Sequence, residues 1–370
     1  MNAEYSIEER TYQHITLEGT AYEAGRLQGQ IFQKDARFAF FCSTVDFDPA
    51  QFGYSSLSAM QATVERICPG LNEEIQGFGD ACGVPIFKAF HYMASSAAVG
   101  GCSHMVVNPS ISENGHVYVG RNYELNPNDE DLCLYTTRIR GKANHVGFST
   151  LFMGRLDGIN EHGVVITISA GVNPPEREKQ QGFDFWIFTR AVLDRCRSVN
   201  DALKLFNETP LSCYTNFLIA DPSGDAVLIE TAGSHKAVQR ISRDEPALIS
   251  NNHYCLPEMQ SDNLGRDLTF STCRREAIQN WVTANQPHIT PELIKHILMK
   301  EYPNGCFCPY YNQGIGTLWS MVFDATEKSV QLTFGAPTHN PWLTFGFEGQ
   351  PGVHSFQAVL PSKINGAKQN

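Results

Sequence analysis

The spacing of apolar residues changes from helical to strand-like at Gly101 and Cys102. In the first hundred residues, apolar side chains recur mostly every three or four positions, which predicts helices. From Cys102 onward the chain reads as short β-type runs separated by turn residues, and helices return in two later blocks, at 183–208 and 271–300. Because helix blocks and antiparallel hairpins are segregated along the chain, the sequence predicts an α+β fold with packed antiparallel sheets rather than a doubly wound parallel sheet.

Local signals place several elements. Residues 13–18 read as a short strand, and Thr20 is the predicted N-cap of a first helix. A second helical stretch covers about 58–81, where the letters CPG predict an interruption, and a third runs from about 85 to 97. Strands are predicted over 215–252 with DPSGD as a hairpin turn, and the chain is expected to close with a hairpin of TLWSMVFD and SVQLTF around ATEK.

The composition limits the class of protein. The 370 residues are 42% hydrophobic and 18% charged, enough to bury a large core. A net charge of −11 and the lack of a dense Lys/Arg stripe argue against nucleic acid as a partner. No apolar stretch is long enough to span a bilayer, and the N-terminal letters carry no apolar signal region. We therefore expect no membrane contact and a location in the cytoplasm or in an organelle lumen.

The position of Cys102 needs an explanation, because it follows two glycines at the change from helix to strand. The surrounding letters HYMASSAAVGGCSHMVV are small and apolar, whereas a linker between domains is polar and exposed. The chain has eleven cysteines at irregular spacings, and most are expected to be reduced and buried. Four interpretations of Cys102 stay open at this point: a structural thiol behind a tight turn, half of a disulfide, a metal ligand, or a nucleophile.

A nucleophilic cysteine behind a glycine can attack its own chain. Because Gly101 has no Cβ, its carbonyl carbon is open to the Cys102 sulfur, and the backbone there can adopt strained angles. An N-to-S acyl shift followed by thioester hydrolysis would turn Cys102 into a new N-terminus. Its α-amine would titrate near ~8 and could act as a general base without a histidine. One residue would then be both nucleophile and base.

The segment GGCSHMVV, followed by GHVYVGRNYEL, resembles the surroundings of the nucleophile in the acyl-coenzyme A:6-aminopenicillanic acid (isopenicillin-N) acyltransferase family. These are N-terminal-nucleophile hydrolases related to choloylglycine hydrolases and penicillin V acylases, with the pattern Gly-Cys-Thr/Ser, a β-hairpin, and Gly-Arg/Gln-Asn-Trp-Asp. The resemblance extends upstream to LEGTAYEAGRLQGQ and downstream through DGINEHGVVITISA, LISNNHY, STCRR and TLWSMVFD. It spans nearly the whole chain, and the order of the short motifs carries it.

The resemblance implies roles for four residues. Cys102 would be the nucleophile and, after cleavage, the base. Arg121 matches an arginine near the sulfur, where a fixed cation favours the thiolate. Asn252 matches the family's Thr/Ser-Asn-His and would supply an oxyanion donor or orient the amine, with Asn251 as a rival for the role. Arg274, in STCRR, matches an arginine that would balance the charge of the site or contact substrate.

Other positions depart from the family pattern. Glu124 stands where the family has aspartate and is one methylene longer, so its contact with the α-amine or with Arg121 needs a shifted backbone or another partner. Tyr123 replaces a tryptophan, Ser169 replaces an asparagine near the end of its strand, and Pro309 replaces an arginine. We expect Tyr123 and Ser169 to support the site or contact substrate.

The resemblance implies a four-layer αββα sandwich of antiparallel sheets, in one folded unit that is cut between Gly101 and Cys102. Residues 1–101 would form a mostly helical segment, and residues 102–370 the catalytic segment that stays associated with it. The reaction would cleave or transfer an acyl group of a small-molecule amide or acyl thioester. No cofactor is expected, although an acyl-coenzyme A could be a co-substrate. No metal is expected either, because CFC at 306–308 lacks the spacing of a zinc site.

Two alternatives stay open beside this reading. The chain would be a cysteine hydrolase that never cleaves itself and uses an external base, or a catalytically silent binding protein of the same fold. The departures at Glu124, Ser169 and Pro309 motivate the second alternative. A papain-like pair of Cys102 with His253 is disfavoured, because nothing in the order of the chain brings the two together.

Overall fold

A computed structural model describes residues 5–33, 48–89, 100–150, 152–175 and 182–364 of the chain. Across those ranges, no helix is both long enough and apolar enough to cross a membrane. Of the third helix predicted at 85–97, residues 86–89 are helical and residues 90–97 lie outside the described part.

Helices begin where the sequence offers a capping residue. The Thr20 side chain accepts the N–H of Glu23, whose carboxylate accepts the N–H of Thr20, so the predicted N-cap is confirmed. Ser56, Ser198 and Thr290 likewise accept the N–H three residues later. The α-helices are α1 (Ala21–Phe32), α2 (Leu57–Ile67), α3 (Leu71–Cys82), α4 (Phe185–Arg195), α5 (Val199–Glu208), α6 (Thr269–Asn285) and α7 (Pro291–Met299).

Three predicted helical stretches, 58–81, 183–208 and 271–300, each contain two helices. The interruption at CPG is confirmed, because α2 ends before Cys68 and α3 begins after Gly70, which has φ +80°. The helices predicted at 183–208 are separate because Cys196 ends the first and Ser198 caps the second. Short 3₁₀ helices cover Pro49–Phe52, Pro109–Ile111, Pro257–Asn263 and Tyr311–Gln313.

The first sheet has ten strands in the described residues, in the order β11-β10-β9-β8-β7-β5-β4-β1-β17, with β6 attached to β5. Neighbours run antiparallel except for β1 and β4, which are parallel. Its strands are β1 (Tyr5–Gly19), β4 (Cys133–Ile139), β5 (His145–Thr150), β6 (Gly154–Arg155), β7 (Asp157–Asn160), β8 (Val165–Ala170), β9 (Tyr214–Ala220), β10 (Ala226–Ala232), β11 (His235–Arg240) and β17 (Gly352–Lys363).

The second sheet, again within the described ranges, has the order β12-β2-β3-β14-β15-β16, with β13 attached to β14. All of its pairings are antiparallel. Its strands are β2 (Gly101–Val107), β3 (Tyr118–Leu125), β12 (Ala247–Ser250), β13 (Pro309–Tyr310), β14 (Ile315–Asp324), β15 (Ser329–Phe334) and β16 (Leu343–Phe345).

The two sheets face each other, and helices cover their outer faces. Trp319 of β14 donates to Asp157 of β7 across the interface at 3.0 Å. Helices α1, α4 and α5 pack on the first sheet, and α6 and α7 on the second. The predicted αββα sandwich is therefore confirmed. Strands such as β2 and β8 are buried on both faces, and each also buries two polar side chains, Ser103 and His104 in β2 and Thr167 and Ser169 in β8.

The two ends of the chain form adjacent strands, which the sequence did not indicate. The expected hairpin of β14 and β15 is confirmed, but it does not close the chain, because the twelve-residue β17 follows it. β17 pairs antiparallel with β1, which is longer than the predicted strand at 13–18 and lies between β17 and β4. Such a pairing leaves no local signal, since its partners stand at opposite ends of the chain.

A buried ionic network also joins the first hundred residues to the rest. Arg190 of α4 donates to Glu74 of α3 at 2.8 Å and to Asp194 at 2.9 Å. Lys142 donates to Asp194 at 2.7 Å. Arg190 and Glu74 have no exposed side-chain surface. The N-terminal segment therefore contributes both an internal strand and a buried carboxylate to the fold.

Candidate active site

Cys102 stands near the beginning of β2 and faces the first sheet. Two residues farther along the same strand, His104 reaches Thr167 of β8, and alternate residues of a strand share a face. Cys102 is 1% exposed and is a free thiol, which rules out the disulfide interpretation. Among the described residues, no group of three or more His, Cys, Asp or Glu side chains is arranged to hold a metal ion.

Close packing explains both glycines before Cys102. A Cβ on Gly100 would lie 2.5 Å from the carbonyl oxygen of Glu124, and a Cβ on Gly101 would lie 3.1 Å from Phe270 of α6. Neither glycine has a positive φ angle, so the conformational freedom that Gly101 allows is not used in this way. The missing side chains instead let β3 and α6 approach the Gly101–Cys102 peptide bond.

Asn252 contacts the nitrogen of that peptide bond. Its side-chain oxygen accepts the N–H of Cys102 at 2.6 Å. Its side-chain nitrogen donates to the carbonyls of Gly100, at 2.8 Å, and Ala170, at 3.0 Å. The pairing of the strands explains the contact between Asn252 and Cys102. β12 and β2 are antiparallel with Ser250 opposite His104, so the residue two positions after Ser250 lies beside the residue two positions before His104.

Arg274 is fully buried and reaches the same peptide segment from α6. One terminal nitrogen donates to the Cys102 carbonyl at 2.7 Å and to the Ser103 hydroxyl at 3.0 Å. The other donates to the side-chain oxygen of Asn252 at 2.9 Å. The guanidinium also lies over the Phe270 ring, 4.4 Å from its centre. Arg274 is thus a site residue and not a solvated helix residue.

Glu124 lies on the face of β3 that is turned away from the Cys102 sulfur. Its neighbour Tyr123, the register partner of Cys102, stacks on Trp319 between the sheets, and successive strand residues point to opposite faces. The Glu124 carboxylate accepts from Arg274 and from Thr317, both at 3.3 Å. Burial raises the pKa of Glu124 to about 7, against the opposing charges of the nearby arginines. Glu124, which is one methylene longer than the family's aspartate, thus has Arg274 as its partner.

Arg121 lies on the inner face with Cys102. Its Nε donates to Asp157 of β7 at 2.7 Å, and both side chains are fully buried. Asp157 also accepts from the Trp319 indole and from the Phe148 N–H, so its position is fixed from both sheets. The two terminal nitrogens of Arg121 have no hydrogen-bond partner among the described residues, and the guanidinium charge acts on the Cys102 thiol by lowering its pKa.

Burial dominates the acidity of the Cys102 thiol. It raises the pKa of Cys102 above the ordinary value for a thiol, whereas the Arg121 cation opposes it most strongly and Arg274 more weakly. The Glu124 carboxylate raises this pKa further. The thiol is therefore protonated near neutral pH.

The two predicted supporting residues have different surroundings. The Tyr123 hydroxyl donates to Glu130 at 2.7 Å, and the Arg121 guanidinium lies 5.2 Å from the centre of the Tyr123 ring. The Ser169 hydroxyl donates to the carbonyl of Asn251 and accepts from His104. Ser169 therefore contacts the residue beside Asn252 and not Cys102 itself.

His253 is not paired with Cys102. Its Nδ1 lies 2.6 Å from the Ser271 hydroxyl, and its Nε2 faces Cys255. Burial lowers the pKa of His253 to about 4, so the ring is neutral at physiological pH. The predicted absence of a papain-like pair agrees with this geometry.

Two residues of the site were missed in the sequence. Asp157 stands in DGIN, a motif that the resemblance includes. No signal in the neighbouring sequence shows that it contacts Arg121, because the two residues lie on different sheets. Asn251, treated only as a rival of Asn252, donates to the Cys102 carbonyl and to the Ser103 hydroxyl, both at 3.0 Å. Adjacent asparagines therefore contact opposite ends of one residue, the nitrogen and the carbonyl of Cys102.

A cavity of about 250 Å³ lies close to this cluster, at the end of the first sheet. Val172 lines the cavity and comes two residues after Ala170, so the two residues are at most about 7 Å apart along the chain. The Ala170 carbonyl accepts from Asn252, which places the cavity near the cluster. His235 and Asp262, whose Nδ1 and carboxylate oxygen lie 2.7 Å apart, form part of the cavity wall. A larger cavity, about 530 Å³, runs along α6, and none of the site residues described above lines it.

The sequence profile of the acyl-coenzyme A:6-aminopenicillanic acid acyl-transferases matches residues 111–339, more than half of the chain. The matched range includes Arg121, Glu124, Asp157, Asn252 and Arg274, and begins after Cys102. No curated protein sequence matches the chain.

Several solved structures are similar to the chain. A mutant conjugated bile acid hydrolase from Clostridium perfringens has 11% sequence identity and a TM-score of 0.49, over 72% of this chain and 100% of that chain. An N-acylethanolamine-hydrolyzing acid amidase ortholog from Caenorhabditis elegans has 17% identity and a TM-score of 0.45, over 61% and 93%. Penicillin V acylase from Agrobacterium tumefaciens has 16% identity and a TM-score of 0.45, over 69% and 90%.

Proposed function

The chain belongs to the acyl-coenzyme A:6-aminopenicillanic acid acyl-transferase family, and we propose that it is a self-processing enzyme whose nucleophile is Cys102. It would cut its own Gly101–Cys102 bond and then cleave or transfer an acyl group from a small amide or thioester. The observation that carries this proposal is the 2.6 Å hydrogen bond from the Cys102 N–H to Asn252. That nitrogen is the atom that becomes the α-amine, and its acceptor is already in place.

Self-cleavage would begin with attack of the Cys102 sulfur on the Gly101 carbonyl carbon. The S–C bond forms, the C–N bond breaks, and the thiol proton passes to the departing nitrogen, which leaves a thioester between the two residues. Water then hydrolyses the thioester, releasing the Gly101 carboxylate and the Cys102 thiol. Arg274 and Asn251 hold the Cys102 carbonyl, so the residue is anchored while the bond on its other side changes.

Turnover would use the same atoms. The α-amine of Cys102 titrates near ~8 and takes the thiol proton as general base. Arg121, held by Asp157, stabilises the thiolate that attacks the substrate carbonyl. The Asn252 side-chain nitrogen has two hydrogens, and in the uncut chain Gly100 and Ala170 accept them. Release of Gly100 would free one hydrogen to donate to the oxyanion.

The acyl-enzyme would be resolved by water, with an amine as a second acceptor. The small cavity beyond Ala170 would hold the substrate, and its wall includes Tyr214 and the His235–Asp262 pair. An acyl-coenzyme A would serve as a co-substrate, with no resident cofactor or metal. Residues 1–101 would remain bound to residues 102–370 after cleavage, through β1 and the Glu74–Arg190 pair.

A panel of N-acyl amides and acyl thioesters tests this proposal on the purified full chain. We expect at least one compound to be turned over and to leave an acyl group on Cys102, detected by mass spectrometry of the quenched reaction. Cys102→Ala is the control and should lose both signals. Turnover without cleavage of the chain would favour the hydrolase that uses an external base, and neither turnover nor acylation would favour a silent binding protein.

A further inference from the structure

The backbone on both sides of Asn252 is held by a buried side-chain amide. The Asn216 side-chain nitrogen of β9 donates to the carbonyl of Asn251 at 2.9 Å and to the carbonyl of His253 at 3.2 Å. The Ser169 hydroxyl donates to the same Asn251 carbonyl. Asn216 and Ser169 are register partners on neighbouring strands, and both are fully buried.

The hydroxyl of Ser169 fixes the arrangement of protons behind it. Its single hydrogen is given to Asn251, so the Nε2–H of His104 must donate to the Ser169 oxygen, 3.2 Å away. The Nδ1 of the same ring then accepts from the Thr167 hydroxyl at 2.6 Å. Burial keeps His104 neutral, because it lowers its pKa well below the ordinary value. One histidine tautomer therefore satisfies every member of this chain of hydrogen bonds.

Strand pairing no longer holds the chain at this point. The last registered pair of β12 with β2 is Ser250 with His104, and Asn251 to His253 follow in a segment outside the strands. The position of Asn252 therefore depends on side-chain contacts. Ser271 of α6 accepts the Asn252 N–H at 2.8 Å and Arg274 binds its side-chain oxygen, while the first sheet holds the carbonyls on both sides. Asn216 and Ser169 of the first sheet bind these carbonyls, His104 of β2 supports Ser169, and we call these three residues the carbonyl clamp.

We propose that the carbonyl clamp positions Asn252 for catalysis, with Asn216 as its central positioning residue. The inference rests on the proposed function, in which Asn252 holds the α-amine with one atom and the oxyanion with another. Both contacts require the Asn252 backbone to keep its place, and a displacement of about 1 Å can cost about 100-fold in rate. None of the three clamp residues needs to touch the substrate, so their replacement should lower kcat while KM stays nearly constant.

Asn160 offers a matched control for Asn216. It is fully buried, and its side-chain nitrogen also donates to two carbonyls, those of Leu193 in α4 at 3.2 Å and Cys196 just after that helix at 2.8 Å. Asn216→Asp and Asn160→Asp therefore replace the same donating amide by the same carboxyl group at fully buried positions, and the Asn160 oxygen in addition accepts the N–H groups of His162 and Val164. Only the first substitution disturbs Asn252.

The test measures kcat, KM and the thermal midpoint of the processed enzyme for both variants. We expect Asn216→Asp to lower kcat about 10- to 100-fold with KM within about twofold, and Asn160→Asp to lower the thermal midpoint similarly with kcat unchanged. Wild-type kcat in Asn216→Asp overturns the inference, as does an equal loss of kcat in both variants or a loss expressed in KM.

Ser169→Ala is the second variant, for the case in which Asn216→Asp does not fold. It deletes one hydroxyl, and it should lower kcat in the same manner. Adding His104→Gln should lower kcat little further, because the ring acts on Asn251 through Ser169; fully additive losses of kcat would contradict the clamp.

A wild-type chain that shows neither cleavage nor turnover defeats the proposed function, and the clamp with it. An active wild type together with an Asn216→Asp variant of unchanged activity defeats the clamp alone.

Discussion

Glu124 and Arg274 form a buried ion pair, with 3.3 Å between carboxylate oxygen and guanidinium nitrogen, on the side of β3 opposite the Cys102 sulfur. The carboxylate is thus placed to balance the arginine that binds the Cys102 carbonyl and not to take the thiol proton. Its main measurable effect should be on stability, because burial raises the pKa of Glu124 from 4.5 to about 7.

Glu124→Gln should make the protein relatively more stable as pH rises. Between pH 4.5 and about 7 the folded carboxyl keeps a proton that the unfolded one has lost, so the free energy of unfolding of the wild type falls through this window. Glutamine has no such dependence, and the difference between variant and wild type should grow by up to about 3 kcal/mol in favour of the variant. Thermal midpoints from pH 5 to 8 measure this, with Cys102→Ala in both chains to prevent cleavage. A constant difference across that range would contradict the raised pKa.

Arg121→Gln should both slow self-cleavage and destabilise the fold. The Cys102 thiolate loses its strongest neighbouring cation, and Asp157 becomes a buried charge without a partner, at a cost of about 3–5 kcal/mol. Cell-free synthesis followed by electrophoresis gives the cleavage rate, and the thermal midpoint gives the stability. The double variant Arg121→Gln/Asp157→Asn should regain part of the stability but none of the rate. Recovery of the rate in the double variant would show that Arg121 acts only as the partner of Asp157.

Asn252→Asp separates the two functions proposed for this side chain. The substitution keeps an oxygen that can accept from the Cys102 nitrogen, and it removes the donor that would face the oxyanion. Loss of one oxyanion donor costs about 100- to 1000-fold in kcat, so we expect a fall of this order with substrate binding retained. Steady-state kinetics on the processed enzyme measures it. A fall of less than about tenfold would assign the oxyanion to other donors.

Arg190→Met tests how the N-terminal segment is retained. Glu74 and Asp194 would be left without their shared cation in the interior, which should cost about 3–5 kcal/mol and weaken the association of the cut fragments. Arg240→Met is the control, because its pair with Asp225 is exposed and worth about 1 kcal/mol or less. Gel filtration in increasing urea should separate the fragments of Arg190→Met first. Equal behaviour of the two variants would mean that the Arg190–Glu74 pair does not retain the segment.

Local signals in the sequence predicted much of the fold. The Thr20 cap, the break at CPG and the ATEK hairpin each depend on residues close together in the chain, and each is confirmed. β17 was missed because its partner β1 lies at the other end of the chain, and the order of strands in a sheet has no local signature. The short β5 and β7 were not predicted as separate strands either.

The site was predictable in its members and less so in its geometry. Motif order brought Cys102, Asn252 and Arg274 into consideration, and the structure places all three in contact. The order of the motifs did not show that Glu124 faces away from the sulfur, because this depends on the register of β2 and β3. Nor did it show Asp157, which meets Arg121 only when the two sheets pack face to face.

The intact masses of the purified wild-type chain and of Cys102→Ala test the central claim most directly. We predict two fragments from the wild type, the larger beginning at Cys102, that run together in native gel filtration, and one uncut chain from the variant. A wild-type chain that stays whole from pH 5 to 9, or a Cys102→Ala chain that is cut at the same bond, would contradict the account.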